Sequence, residues 1–449
     1  MNFSKLLHRD SSYDELEDDQ DKQAEIDSEE DEIDISEDVL DKKVSNTGAF
    51  WNICNSVQGV AILAMPYIIK TGGWWSIIAL CIIAAMSNYT GQILIHCKYD
   101  YKRNKNGELA KIKARASYAD IGGAVWLKGG KSVVLVMQVV ELLFMATLYP
   151  IVAGSIFLQL FPASSMAWWI MIFGVLLIPN IFVDKLKHIS LVSAITIVST
   201  VVIFILTVVY CYRHPSAWDI TLLNIEPKSE YILSIGALTA SYSSQMYLAI
   251  IEENMKQPQD IGKVVHLAYA AMTVLKITTG VVGYLTFKAN TQQVICLNTS
   301  QGIISLVIRS TVLLLSLSSF SLPIFSVYKI TEKELQWLKK PNTKVDREFK
   351  LLVYCSRVLI YLLILLLAEI IPQFCLFLAV IGSISGMCLG FIFPCVFHVV
   401  LHFDVLSKRV IFLDSLIAVS SFLFVPFGTY FTINALVQAY KNNGNDNWL

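Results

Sequence analysis

Eleven stretches of this chain are apolar for long enough to cross a lipid bilayer, which needs about 20 helical residues. They fall at roughly 48–69, 74–97, 132–160, 167–183, 189–212, 231–252, 264–287, 303–328, 349–370, 374–401 and 411–437. The fourth is the shortest, and only Pro372 and Gln373 separate the ninth from the tenth. In hydrocarbon every backbone polar group must be satisfied by protein, so spans of this kind fold as helices. The expected architecture is therefore an all-α polytopic membrane protein. Charge agrees: 16% of the 449 residues are charged, against about 25% in soluble domains.

The charges are polarised. Residues 1–45 hold 17 acids and 5 bases, whereas the rest of the chain holds 19 acids and 30 bases. Basic residues favour cytosolic loops. With the N-terminus in the cytosol, 27 Lys and Arg fall on the cytosolic side and 5 on the other, and Lys276, Arg309 and Arg357 lie inside spans. One span more or fewer in the middle would scramble that split. The expectation is a cytosolic acidic tail (1–45), a transporter-sized membrane domain (46–440) and a short lumenal end (441–449).

The tail has too few apolar residues to offset its ordering entropy and is expected to be disordered. Ser11, Ser12 and Ser28 each precede an acid by three residues, a kinase-type pattern that so acidic a tail produces by chance. Leu6-Leu7 is too short to read as a sorting signal. No apolar h-region of a cleavable signal peptide is visible. Of the sequons, Asn2 is cytosolic and Asn88 lies in a span, which leaves Asn298 in a lumenal loop as the glycosylation candidate.

No enzyme constellation is apparent. The chain has no H-E-x-x-H, G-x-S-x-G or P-loop, and its nine cysteines include no C-x-x-C. Metal, disulfide-framework and nucleic-acid modules are set aside, no cofactor is expected, and transport, channel or sensing functions are left. A channel lacks its ring of like charges or repeated filter.

Two spans carry signs of a break. The first reads NTGAFWNICNSVQGVAILAMPYIIKTGG, with Gly59 in mid-span, Pro66 following, and Asn52, Asn55, Ser56 and Gln58 nearby. The sixth carries TASYSSQ at 239–245, six polar-capable residues in seven. Irregular backbone at membrane depth is tolerated where it lines a cavity or is buried in protein. These spans open two successive sets of five, and paired interruptions in corresponding positions point to the substrate site of an inverted-repeat transporter. Each segment alone also fits an ordinary kink or a packing face.

Intramembrane ionisable groups are functional candidates by default. Glu141 lies about 15 Å and Lys276 about 18 Å from the cytosolic end of their spans, a shared depth at which they can pair. Glu141 reads either as a proton carrier or as a structural hydrogen-bonding group. Glu252 and Glu253 sit where span six meets the cytosol and read as surface or gate residues. Gly382-Ser-Ile-Ser-Gly386 reads as close helix packing. Ser318, Ser319, Ser321 and Pro323 of span eight suggest a kink lining the cavity opposite span one.

The runs NSVQGVAILAMPYIIKTGG, QVVELLFMATLYPIVAG, SYSSQMYLAIIEENMKQP and IGSISGMCLGFIFPCVFH resemble the amino acid/auxin permease family, from about Ser45 to about Tyr440. The SYSSQ run and the EENMKQP exit are most similar to its vesicular inhibitory branch. The resemblance implies a LeuT-type 5+5 inverted repeat with an eleventh helix. It also implies exchange of lumenal protons for cytosolic GABA, glycine or a related small neutral amino acid, driven by a vesicular proton pump, in synaptic-type vesicle membranes. Chloride coupling stays open. Carried over by position, the backbone at Gly59, Val60 and Ala61 receives the substrate carboxylate. Asn55 and Gln58 add polar atoms, and Tyr242, Ser243 and Gln245 face the substrate from span six. Ala249 replaces the branch's usual Pro and Glu253 its usual Gly, which puts the cytosolic gate in question. A lysosomal or plasma-membrane neutral amino acid carrier, and a sensor signalling through the tail, are the alternatives.

Overall fold

In the computed structural model the described residues are 43–103, 109–184, 186–213, 218, 231–300, 302–336, 345–371 and 373–443. The acidic tail through residue 42, with Ser11, Ser12, Ser28 and Leu6-Leu7, lies outside them, as do Lys185, Pro372 and residues 444–449.

Span one is split. Helix α1 (Asn46–Gln58) is N-capped by Ser45, whose hydroxyl accepts from the Gly48 N–H. It ends at Gly59, where φ is 42° and ψ is −138°, a conformation that side chains with a Cβ disfavour. A 3₁₀ turn over Ala61–Ala64 leads into α2 (Met65–His96). Pro66 falls in the first turn of α2, where its missing N–H costs no helical bond. Gly73 (φ 55°) bends α2 again, so the helical run Asn46–His96 holds two of the expected spans. Span six is split too, into α7 (Tyr231–Ser241) and α8 (Gln245–Glu253).

Between spans two and three lies an antiparallel hairpin, β1 (Tyr99–Arg103) and β2 (Leu109–Lys113), with Tyr99 opposite Lys113. It is followed by the short helix α3 (Tyr118–Val125), capped reciprocally by Ser117 and Asp120. The remaining helices are α4 (Gly130–Leu160), α5 (Met166–Leu177), α6 (Leu186–Arg213), α9 (Ile261–Phe287), α10 (Ile303–Ser319), α11 (Ser321–Leu335), α12 (Val345–Ile370), α13 (Phe374–Ile381), α14 (Phe393–His402) and α15 (Lys408–Asn443). Among the described residues, 8 helices are long and apolar enough to cross a membrane. The expected fourth span is the shorter Met166–Phe182 segment, and the sixth falls short because it is broken.

The contacts pair off. Span one packs on α6 and α9, and span six packs on α13 and α2. Helix α6 packs on α10 as α13 packs on α4, and α2 packs along α9. Two π turns, Gly382–Gly386 and Cys388–Ile392, join α13 to α14. Gly382 comes so close to α7 that a Cβ there would lie 1.8 Å from the Gly236 carbonyl oxygen, so small residues let two backbones touch. Arg357 donates to the Ile181 carbonyl at 2.8 Å and to Asp184 at 2.8 Å, which ties α12 to the end of span four. Arg309 donates to the Thr299 carbonyl at 2.9 Å.

One expectation is corrected here. Glu253 is partly exposed and lies 3.5 Å from Lys113, as a surface acid would. Glu252 is only 1% exposed. It accepts from Lys98 and from the Tyr99 hydroxyl, and Lys98 also donates to the Ala249 carbonyl at 3.0 Å. The helical turn of α8 aims Glu252 inward while its neighbour points to solvent. Burial pulls the Lys98 ammonium below its usual value, and the Glu252 carboxylate opposes that pull.

Removing one partner of a buried pair leaves an uncompensated charge and costs about 3–5 kcal/mol. Glu252→Gln is therefore expected to lower the thermal unfolding midpoint of detergent-purified protein by several degrees. The double variant Lys98→Met/Glu252→Gln should recover part of that loss. An unchanged midpoint in Glu252→Gln would show that the pair contributes nothing.

Candidate functional site

The two breaks meet around a small central cavity. Span one supplies Asn55, Ser56, Val57, Gln58, Gly59, Val60 and Ala61, and span six supplies Ala240, Ser241 and Tyr247. Met145, Leu148 and Tyr149 of α4, Ser319, Leu322 and Pro323 at the α10–α11 junction, and Leu378 of α13 complete the wall. Its volume is about 30 Å³, room for about one water. A molecule larger than water fits there only if wall side chains move.

Its span-one half is held from behind. Asn55 donates to Ser193 at 3.1 Å and accepts from Ser319 at 2.9 Å. One turn earlier, Asn52 donates to Ser190 at 2.7 Å. These bonds fix α1 to α6 and to α10. The Gly59 N–H still bonds the Asn55 carbonyl, at 2.8 Å. Beyond it a new half-helix begins, and the first N–H groups of a helix have no intrahelical acceptor. Gln58 is 1% exposed, and neither atom of its side-chain amide has a hydrogen-bond partner. Among the described residues, no carboxylate lines this cavity.

The three span-six candidates face elsewhere. Tyr242 bonds Thr273 at 2.8 Å through its hydroxyl and stacks on Tyr269. Gln245 donates to the Ser87 carbonyl at 3.2 Å and to Thr90 at 3.1 Å, on α2. Ser243 donates to the Thr239 carbonyl at 3.1 Å. The sequence located the break, but the direction of each side chain depends on the unwound dihedrals at 242–244, which no helical periodicity gives.

Glu141 lies behind the span-six break. It is fully buried, and the hydroxyls of Ser243 and Ser385 face it. Both hydroxyls donate instead to carbonyls, of Thr239 and Ile381, and neither Glu141 oxygen has a hydrogen-bond partner. Lys276 is equally buried, and its ammonium bonds the Val57 carbonyl at 2.8 Å and the Ser241 carbonyl at 2.6 Å rather than Glu141. Shared depth does not bring the two charges together, because the broken backbone intercepts the lysine. Asn298 closes a turn, accepting from the Gln292 N–H at 2.8 Å and donating to the Asn290 carbonyl at 2.7 Å.

Tyr149 and Tyr247 are wall residues that the sequence reading passed over. Pro150, next to Tyr149 inside α4, has no backbone N–H to donate to the preceding turn. The Tyr149 hydroxyl would lie 3.0 Å from a Cβ at Gly59. Ser319 and Pro323, expected opposite span one, line the cavity.

Comparison with known proteins identifies the fold and the family. Among solved structures, a Na+-coupled sialic acid symporter in a substrate-bound outward-open state superposes with a TM-score of 0.55 at 10% identity, over 87% of this chain and 88% of that one. A nucleobase-cation-symport-1 family transporter in a closed conformation gives 0.55 at 11% identity, over 90% and 93%. At such identities the likeness concerns the fold, which is of the LeuT type. In sequence, the vesicular inhibitory amino acid transporter of Xenopus laevis is 32% identical over 89% of this chain and 78% of its own length. The protein of that name from Homo sapiens is 31% identical over 90% and 78%. A vesicular GABA transporter of Caenorhabditis elegans is 27% identical over 89% and 81%. The family model for transmembrane amino acid transporter proteins matches residues 42–434, and the chain belongs to that family.

Proposed function

We propose that this protein is a secondary active transporter that loads GABA, glycine or a related small neutral amino acid into acidic vesicles in exchange for protons. The observation that carries the reading is the meeting of two broken spans at a cavity with an unpaired amide and no acid. A zwitterion suits it. The N–H groups opening the half-helix at Val60 and Ala61 offer a positive dipole end to the carboxylate, and Gly59 keeps their approach clear. For the ammonium, the unpartnered Gln58 carbonyl oxygen is the acceptor at hand. The relatives named for inhibitory amino acids and for GABA favour these substrates over larger ones.

A second cavity, of about 510 Å³, lies at the hairpin face, among Ser117, Gln138, Ala249, Glu253, Phe325 and Lys329. The same elements wall both cavities: α8 gives Tyr247 to one and Ala249 to the other, and α11 gives Pro323 and Phe325. This supports alternating access, with the hairpin face cytosolic as the basic residues suggest and the larger cavity as the cytosolic approach. Glu141, buried without a hydrogen-bond partner beside two hydroxyls, is the group we assign to the exchanged proton.

Reconstitution into liposomes with an acidic interior tests the reading. Labelled GABA or glycine should accumulate, and a protonophore should abolish the accumulation. Uptake confined to other neutral amino acids would move the protein to a nutrient role, and measurable binding without uptake would favour a sensor.

Two variants test the site. Gly59→Val places a branched side chain at φ 42° and against Tyr149. Strained backbone of this kind costs about 1–3 kcal/mol, so uptake should fall by about tenfold or more while expression stays near normal. Normal uptake would remove the span-one break from the site. Glu141→Gln should abolish accumulation driven by the pH gradient yet retain exchange of labelled for unlabelled substrate. Retained proton-driven accumulation would make Glu141 structural.

A further inference from the structure

Lys276 sits in the middle of α9, wholly buried, and no carboxylate among the described residues is bonded to it. What surrounds its ammonium is unusual for a lysine. It donates to the Val57 carbonyl at 2.8 Å, to the Ser241 carbonyl at 2.6 Å and approaches the Ser241 hydroxyl at 3.2 Å. It also lies 3.7 Å from the centroid of the Tyr242 ring. Val57 is the penultimate residue of α1 and Ser241 the last of α7. Both acceptors are therefore terminal carbonyls of half-helices that end inside the protein. Such carbonyls have lost their intrahelical donors and carry the negative end of the helix dipole. Two of these ends converge on one point, and the electron-rich face of an aromatic ring closes it. The ring is itself held, by Thr273 through its hydroxyl and by stacking on Tyr269.

That shell of carbonyls, hydroxyl and π face is the environment of a small monovalent cation. We propose that the Lys276 ammonium is a resident cation that ties the break of span one to the break of span six, so that the site assembles without an alkali ion. An ammonium has three donors and no acceptor, which matches two carbonyls and a third direction shared by the hydroxyl and the ring. The Lys276 stem reaches the site from α9, a helix that packs on both α1 and α2, so the cation stays in place when the cavity is empty. Lys276 is thus a positioning residue: it sets the distance between the two half-helices and meets the cavity wall at Val57 and Ser241. The proposal rests on the reading that the two breaks frame the substrate cavity, and it is independent of which amino acid fills it.

Lys276→Ala removes the charge and leaves a space the size of the side chain. The thermal unfolding midpoint of this variant, purified in detergent with choline as the only cation, should fall by several degrees. Methylammonium or ethylammonium at tens of millimolar should restore part of the loss in a saturable way. Tetramethylammonium, which has no N–H, should not. Neither the unaltered protein nor Lys276→Met, whose side chain fills the space without charge, should respond. Equal responses to all these cations in all three proteins, or no response in Lys276→Ala, would overturn the proposal. If Lys276→Ala does not fold, Lys276→Met decides: it should lose uptake at least tenfold, and full uptake would overturn the proposal. So would a requirement of the unaltered protein for Na+. The thermal readout uses no substrate. Failure of the amino acid reading would appear separately, as absent uptake by the unaltered protein with the thermal rescue intact.

Discussion

A helix that stops inside a bilayer leaves carbonyls and N–H groups with no water to take them, and each unsatisfied group costs several kcal/mol. This chain stops two helices there, at Gln58 and at Ser241, and much of its buried polar chemistry answers to that fact. The terminal carbonyls are met by Lys276. Asn55 is held by Ser193 and Ser319, and Gln245 by α2, so each half-helix is pinned beside its break. At the cavity, hydrogen-bonding capacity is left over in the Gln58 amide and in the N–H groups that open the second half of span one.

The breaks are also linked at the hairpin face. The Val44 N–H donates to the Asn254 carbonyl at 2.7 Å, and the Lys256 N–H donates to the Val44 carbonyl at 2.9 Å. The chain entering α1 is thereby bridged to the chain leaving α8. Lys98 and Tyr99 hold Glu252 of α8 to the end of α2. The chain before α1 and the chain after α8 are thus joined by backbone bonds, and α8 is joined to the end of α2 by a buried ion pair. Movement of α1 apart from α8 would break the first link, and movement of α8 apart from α2 would break the second.

How much of this was legible depends on which force decides each feature. Span limits and breaks are written in composition, because hydrocarbon tolerates few polar residues: Gly59, Pro66 and the TASYSSQ run announced the unwinding at both sites. Side-chain direction at a break is not written there. Tyr242, Ser243 and Gln245 share a polar run, yet they face α9, α7 and α2, because the turn between α7 and α8 has no fixed period. Depth told that Glu141 and Lys276 lie at one level, but not that terminal carbonyls would hold the lysine. Glu252 and Glu253 are neighbours with equal chemistry. Only the rotation of α8 against Lys98 decides that one is buried and the other exposed. The hairpin at 99–113 lies in a loop whose basic residues indicated its side of the membrane and not its shape.

The division of charge follows from the same geometry. A zwitterion brings its own cation, and the strongest acceptors near the breaks, the carbonyls of Val57 and Ser241, are already filled by Lys276. A free ammonium therefore competes poorly there and is left to weaker, neutral acceptors such as Gln58. That favours release as well as capture, since a carrier must let its cargo go on the far side. Glu141 stands behind span six, facing Ser243 and Ser385 rather than the cavity. An acid placed there bears on the backbone that shapes the site without becoming a ligand of what the site carries. In the proposed exchange, proton and substrate act on the same broken helix from opposite sides.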